Sequence, residues 1–293
     1  MRLYSSVIRL ISTTSAVIPI PGGQHAHAAF LDIVRQVDPE LSQKLHDTRG
    51  KGARQPFTVS PIMGMPKPRI SEVFLRAGWE CWLRVTMLDD ALFKTFIEYF
   101  MAHPSPTFGR GARSEGIRLG DAHFLVSEIL TTPGSHPWAG YITLEELQKR
   151  LEEPAPMSIA FELFSPTSFK LRDETIETIP YPKLAFGSLA TAWKALTGEN
   201  MVEAVEKYAG KNIRPALHRI ERQALTLHNH PQLGSVGRVE YQRLDDEDTP
   251  LARGLNLLAD LAFYTGLGRK TAQGMGMARR IQQIRGPEAG SGQ

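Results

Sequence analysis

The chain has 293 residues, 42% of them hydrophobic and 22% charged, an ordinary balance for a folded globular protein and enough for one large domain or two of common size. Its single cysteine, Cys81, excludes an internal disulfide and every cysteine-cluster zinc site. The net charge is only +3 despite a pI near 9.0, so a nucleic-acid partner must be argued from where the bases cluster.

Residues 2–11 alternate as a strand does, without the apolar core of a signal peptide, and no apolar run approaches the ~18 residues of a membrane helix. A soluble cytoplasmic protein is expected. Pro19-Ile-Pro-Gly-Gly23 has turn chemistry. From Gln24 the pattern changes, and Ala26, Phe30, Ile33, Val34 and Val37 fall at helical spacing. Phe57–Ser60 and Trp79–Met87 read as strands, with Cys81 a buried thiol inside the second. Asp89 is placed to cap a helix striped by Leu92, Phe93, Phe96, Tyr99 and Phe100, and Ile117–Leu130 returns to strand. This first half has the order β-α-β-β-α-β.

Thr131–Pro137 reads as a linker, and Thr143 with Glu146 forms a capping box for a short helix to Leu151. The order then repeats. Met157–Phe164 is a strand, Phe186–Leu196 a helix continued to about Tyr208, Ala224–His228 and Gly237–Leu244 are strands, Pro250–Tyr264 is a helix and Thr271–Ile284 a strand. Two such units predict an α+β protein of two tandem ferredoxin-like (RRM-like) domains, 1–135 and 136–285, with a disordered tail over 286–293. Such sheets often carry RNA, but the fold alone assigns no function.

The segment Gly266–Arg280 holds four glycines, four basic side chains and no acid. It reads either as a loop built to grip phosphates or as a plain basic hairpin. A Walker A loop is excluded because Arg269-Lys270-Thr271 lacks the glycine before the lysine. A dinucleotide fingerprint is excluded by Thr271 in place of a third glycine and by the preceding helix.

Phe263-Tyr-Thr-Gly-Leu-Gly-Arg-Lys-Thr-Ala-Gln-Gly-Met-Gly-Met277 resembles the glycine-rich signature of the Cas6 family, the CRISPR repeat-RNA endoribonucleases of the repeat-associated RNA-binding superfamily. Phe164–Phe169, Phe186-Gly-Ser-Leu with Trp193, and Gly234–Val239 support it, as do His27-Ala-Ala-Phe-Leu, Asp38-Pro-Glu-Leu, Leu45-His-Asp47 and Pro56–Pro61 near the start. The resemblance spans nearly the whole chain. It implies a metal-independent endonuclease that cuts at the base of a repeat stem-loop to leave a 2′,3′-cyclic phosphate and a 5′-hydroxyl. The alternative is a non-catalytic repeat-RNA-binding or scaffold subunit of a CRISPR effector complex. Expected partners are the repeat stem-loop, other effector subunits and a second copy of the chain. No cofactor and no membrane are expected.

Such chemistry needs a base for the 2′-hydroxyl proton, an acid for the leaving 5′-oxygen and a cation for the phosphorane. His25 and His27 open the first helix, where positions two apart point about 200° away from each other. His27 lines up with Phe30, Leu31 and Val34, and it matches the family's helix-1 histidine, so it is the first candidate for acid or base. His25 is the second, and a helix-cap or partly buried histidine is the plain reading of either.

Lys51 and Arg54, in the basic loop Arg49–Arg54, are candidates for the cation; some relatives add a tyrosine, but none lies between Tyr4 and Tyr99. Arg110 and Arg113, in a second basic glycine-rich loop, are candidates for RNA contact. So are Gly266, Gly268, Arg269, Lys270, Thr271, Gln273, Gly274 and Gly276. A second basic band, Lys207, Lys211, Arg214, Arg219 and Arg222, reads equally as solvated surface. His46, His218, His228 and His230 read as structural or RNA-contacting, and without a third ligand His228 and His230 make no metal site.

Overall fold

The computed structural model describes residues 1–19, 23–47, 54–66, 72–103, 116–171, 173–227 and 230–281. In the first half the elements are β1 (Arg2–Ser12), β2 (Ala16–Pro19), α1 (Gly23–Val37), α2 (Pro39–Asp47), β3 (Phe57–Val59), β4 (Glu72–Leu75), β5 (Glu80–Met87), α3 (Asp90–Ala102), β6 (Ile117–Leu119), β7 (Ala122–Leu130) and β8 (Gly140–Thr143). The second half has α4 (Leu144–Gln148), β9 (Ser158–Thr167), β10 (Phe169–Lys170), β11 (Ile176–Glu177), α5 (Pro182–Thr197), α6 (Val202–Asn212), β12 (Ile213–Leu227), β13 (His230–Arg243), α7 (Pro250–Thr265) and β14 (Ala278–Ile281).

Each half is a ferredoxin-like sheet. The first runs β3-β5-β1-β7-β6 with β8 also paired to β1, and the second runs β12-β13-β9-β14. In both, the first core strand lies between the third and the fourth, as split β-α-β connections require. The alternation of β1 has an added use. Tyr4, Ile8 and Leu10 pack in the first core with α1 and α3, whereas Leu3 packs in the second core and Val7 against Trp138 and Met277. One strand thus joins two cores, because its two faces point opposite ways.

Local signals explain most boundaries. Asp89 caps α3 by accepting from the Leu92 amide at 2.7 Å, and Thr143 and Glu146 form the reciprocal capping box of α4. Cys81 is buried, and burial pushes its thiol pKa up to about 12.

Several expectations need correction. Ile117–Leu130 is a hairpin, β6 and β7, that turns at Gly120 (φ 66°). The predicted strands 224–228 and 237–244 are parts of one long hairpin, β12 and β13, which holds much of the basic band. β12 hides this because it is exposed on both faces over most of its length, with a bulge between Pro215 and Leu217, so no alternation marks it. The predicted strand 271–284 is a single 3-10 turn, Thr271–Gln273, followed by β14. The ribbon β2–β4 was not expected, nor was the break that makes α2 a helix separate from α1. No helix among the described residues is long and apolar enough to cross a membrane.

Candidate active site

The 200° offset along α1 separates its two histidines. His27 points at the glycine-rich segment, where Nδ1 lies 2.8 Å from the Ala272 carbonyl oxygen. Its ring stacks on Phe57 of β3 at 5.6 Å between centroids, and the residue is 6% exposed. His25 points the other way, over the β6–β7 turn at Gly120, and lines an open groove of about 1130 Å³ with Thr13, Asp32, Tyr99 and His123. Burial lowers the His25 pKa from its ordinary value, partly opposed by the Asp121 carboxylate. The structure therefore brings His27, and not His25, to the glycine-rich segment.

That segment is held from both sides. Leu267 N–H donates to Gly276 O at 2.8 Å, Arg269 N–H to Ser168 O at 2.9 Å and Gly276 N–H to Pro166 O at 3.0 Å. Gly268 N–H donates to the Ser188 hydroxyl at 2.9 Å. Gly266, Gly268, Gly274 and Gly276 all have positive φ, and so does Lys270. What these glycines approach is the protein's own backbone. A methyl group on Gly268 would lie 2.3 Å from Ser168 O, and one on Gly276 would lie 2.2 Å from Leu267 O. Gly23, the first residue of α1, meets the segment just as closely: a methyl there would lie 2.0 Å from Gln273 O.

Thr271 is buried, its side chain wedged between Gly266 and Gly276, and Gln273 donates its backbone N–H to Lys270 O at 2.8 Å. Arg269 and Lys270 are half-buried and bond to Gln232 of β13, at 3.3 and 2.9 Å. Partial burial lowers the Arg269 pKa. Close by, Leu225 and Leu227 of β12 pack on Met275.

Arg54 lies beneath the segment. Its Nη2 donates to Thr265 O at 2.6 Å and Gly266 O at 3.4 Å, closing the C-terminal end of α7, and burial brings its pKa to about 10. In this position both bonds serve the protein's own carbonyls. Lys51, Arg110 and Arg113 lie outside the described residues, as do His228 and the predicted tail. His218 and His230 are exposed on the long hairpin. Among the described residues no cluster of three or more His, Cys, Asp or Glu is placed to hold a metal ion.

Three participants escape a reading of the sequence. Ala272 acts through its carbonyl, Phe57 is the stacking partner of His27, and Gln232 becomes a neighbour of the loop only through the register of β13. A fourth, Arg84, sits at the junction of the two halves, 2% exposed. Its Nε donates to the Ser5 hydroxyl at 2.8 Å and Trp138 O at 3.2 Å, and its Nη2 donates to Phe263 O. The guanidinium also lies over the Phe263 ring, 4.6 Å from its centroid.

Residues 2–149 match the family model described as the CRISPR Cas6 N-terminal domain, and residues 161–278 match that of the CRISPR-associated endoribonuclease Cas6. Among solved structures the chain is similar to a Thermus thermophilus Cas6 product complex, with 26% identity, a TM-score of 0.76 and coverage of 95% of this chain and 99% of that one. A second Cas6 product complex aligns at 26% identity and a TM-score of 0.69, over 96% and 100% of the two chains. A Cas6-related protein from Pyrococcus furiosus shares the fold at 14% identity and a TM-score of 0.59, over 96% and 99%. No curated protein sequence matches.

Proposed function

This chain belongs to the CRISPR-associated endoribonuclease Cas6 family, and from that premise we propose that it cuts CRISPR precursor RNA within the repeat by 2′-hydroxyl attack, without a metal ion. The observation that carries this reading is the bond between His27 and Ala272. A carbonyl oxygen only accepts, so the neutral ring bears its proton on Nδ1 and presents a lone pair at Nε2.

In this reading Nε2 takes the proton of the 2′-hydroxyl, the new O2′–P bond forms and the P–O5′ bond breaks. The products are a 2′,3′-cyclic phosphate and a 5′-oxygen that takes a proton from water to become a hydroxyl. A positioned base contributes roughly 10²–10⁴-fold. Arg269 and Lys270, on the segment whose Ala272 carbonyl accepts the His27 hydrogen bond, supply positive charge to the phosphate. Lys51 is proposed on the sequence pattern to stabilise the phosphorane, and Arg110 and Arg113 to hold the stem. The Thermus thermophilus relative is described as a product complex, which supports RNA as a ligand of this chain.

Labelled repeat RNA incubated with the purified chain in EDTA tests the proposal. Cleavage to a cyclic phosphate end is expected. Uncut RNA rejects the metal-independent mechanism, and uncut but bound RNA points to a scaffold. A 2′-deoxy nucleotide at the scissile position should stop the cut.

The burial of His27 favours a second reading, in which its imidazole clamps α1 to the loop and another residue is the base. Under the first reading, RNA reaches Nε2 only when the groups covering the ring move aside. The two readings part at a His27 variant that keeps the clamp and lacks the base.

A further inference from the structure

Gln232, on β13 of the long hairpin, bonds through its side chain to the glycine-rich segment. It lies opposite Leu225 in the hairpin register, and Leu225 packs on Met275 of that segment. Its single carboxamide oxygen, Oε1, accepts from Arg269 Nη1 at 3.3 Å and from Lys270 Nζ at 2.9 Å. Two like charges that repel are thereby drawn to one point. A structural brace between two cations is ordinarily a carboxylate, which would cancel part of their charge; here it is a neutral amide, which orients both and cancels neither.

We propose that Gln232 is a positioning residue that holds Arg269 and Lys270 as a two-pronged clamp for one RNA phosphate. The proposal rests on the reading above that this loop binds repeat RNA. The carboxamide aligns the donors before the phosphate arrives, so little side-chain freedom is lost on binding. Lys270 has a left-handed backbone (φ 55°), a conformation that costs free energy in a residue with a Cβ. In that conformation Lys270 shares the acceptor used by the residue before it.

The clamp and a mere brace predict opposite orders for two variants. Gln232→Glu keeps the acceptor and strengthens both bonds, but places a negative charge beside the phosphate and cancels part of the charge that attracts it. Gln232→Ala removes the acceptor and leaves both cations unaligned. Binding is measured with an all-2′-fluoro repeat stem-loop, which keeps A-form shape and lacks the nucleophile, across a range of salt concentrations. The clamp predicts that Gln232→Glu binds at least ~10-fold more weakly near 0.1 M salt, with a log-log salt slope shallower by about one. It predicts a smaller loss for Gln232→Ala, with the slope kept. Wild-type affinity and slope in Gln232→Glu, with a loss only in Gln232→Ala, would show a brace and overturn the proposal.

A double-mutant cycle guards against a folding defect. In an Arg269→Ala/Lys270→Ala background the Gln232→Glu effect should vanish, and its persistence also overturns the clamp. A wild-type chain that binds this RNA with a steep slope yet leaves natural repeat RNA intact defeats the nuclease reading alone, while the same slopes still decide the role of Gln232. Wild-type binding that is absent or independent of salt defeats both.

Discussion

His27 on the first helix and Ala272 in the turn of the glycine-rich segment are joined by a 2.8 Å hydrogen bond across 245 residues of chain. The bond fixes a tautomer and also pins two halves of the site together, and substitutions at His27 separate these roles. His27→Ala should lose cleavage with RNA affinity within about threefold of wild type, and about 2–3 kcal/mol of stability for the lost bond and ring packing. His27→Asn can place an amide N–H near Nδ1, so it should regain most of the stability and none of the cleavage. Cleavage by the Asn variant near the wild-type rate would assign the imidazole to structure. Denaturant midpoints and single-turnover rates on repeat RNA provide the two readouts.

The contact between α1 and the loop has no room for a methyl group. Gly23→Ala should push the loop off the helix and cost at least ~2 kcal/mol, with loss of RNA binding. Gly254 in α7 is the contrast, since nothing lies within 4 Å of a methyl there. Gly254→Ala should therefore stabilise the chain by up to ~1 kcal/mol through helix propensity and leave RNA binding unchanged. Equal destabilisation of the two variants in urea titrations would refute this account of the close approach.

The frame of both halves was legible because hydrophobic spacing and caps are local signals. The α1 stripe, the Asp89 cap and the Thr143–Glu146 box are each built from residues only three or four positions from the next. What escaped is set by distant neighbours. The first stretch of β12, residues 213–223, could not be read because it is solvated on both faces, and the strand forecast from Thr271 failed because the segment is shaped by Ser168, Pro166 and Gly23. The sequence shows that glycine-rich segment as basic and flexible in composition. It does not show that its glycines face the protein's own carbonyls, or that Arg54 lies under it as a helix cap. At the candidate site, the offset of His25 from His27 followed from helix geometry, whereas the Gln232 contact depends on strand register.

Arg84 joins the halves through Ser5, Trp138 and Phe263, and no lysine can reproduce its fork of donors. Arg84→Lys should cost about 3 kcal/mol or more, because buried acceptors lose their donors. Arg84→Met tests the charge itself. If burial of the charge is a net cost, the Met variant should be the more stable of the two by thermal melting.

His136 accepts a hydrogen bond from the Trp138 amide at 3.1 Å through Nδ1, a bond that protonation removes. Burial first, then Arg9, Arg279 and Arg84, hold its pKa below the ordinary value. The unfolded chain then binds the extra proton more readily as pH falls below about 6.5. Stability from this group is complete above that pH and declines towards the lower folded value. His25 shifts in the same direction. Thermal midpoints should drop between about pH 7.5 and about 5.5, and His136→Gln, whose amide oxygen can still accept, should flatten part of that drop. An identical pH profile in the variant would remove His136 from the cause.

The distance in sequence between His27 and its acceptor orders events during synthesis. A ribosome releases the first helix long before it makes the turn containing Ala272, so the emerging chain has an imidazole whose proton has no fixed seat. The bond to Ala272 therefore forms last, when α7 has docked and the chain beyond it has closed over Gly23.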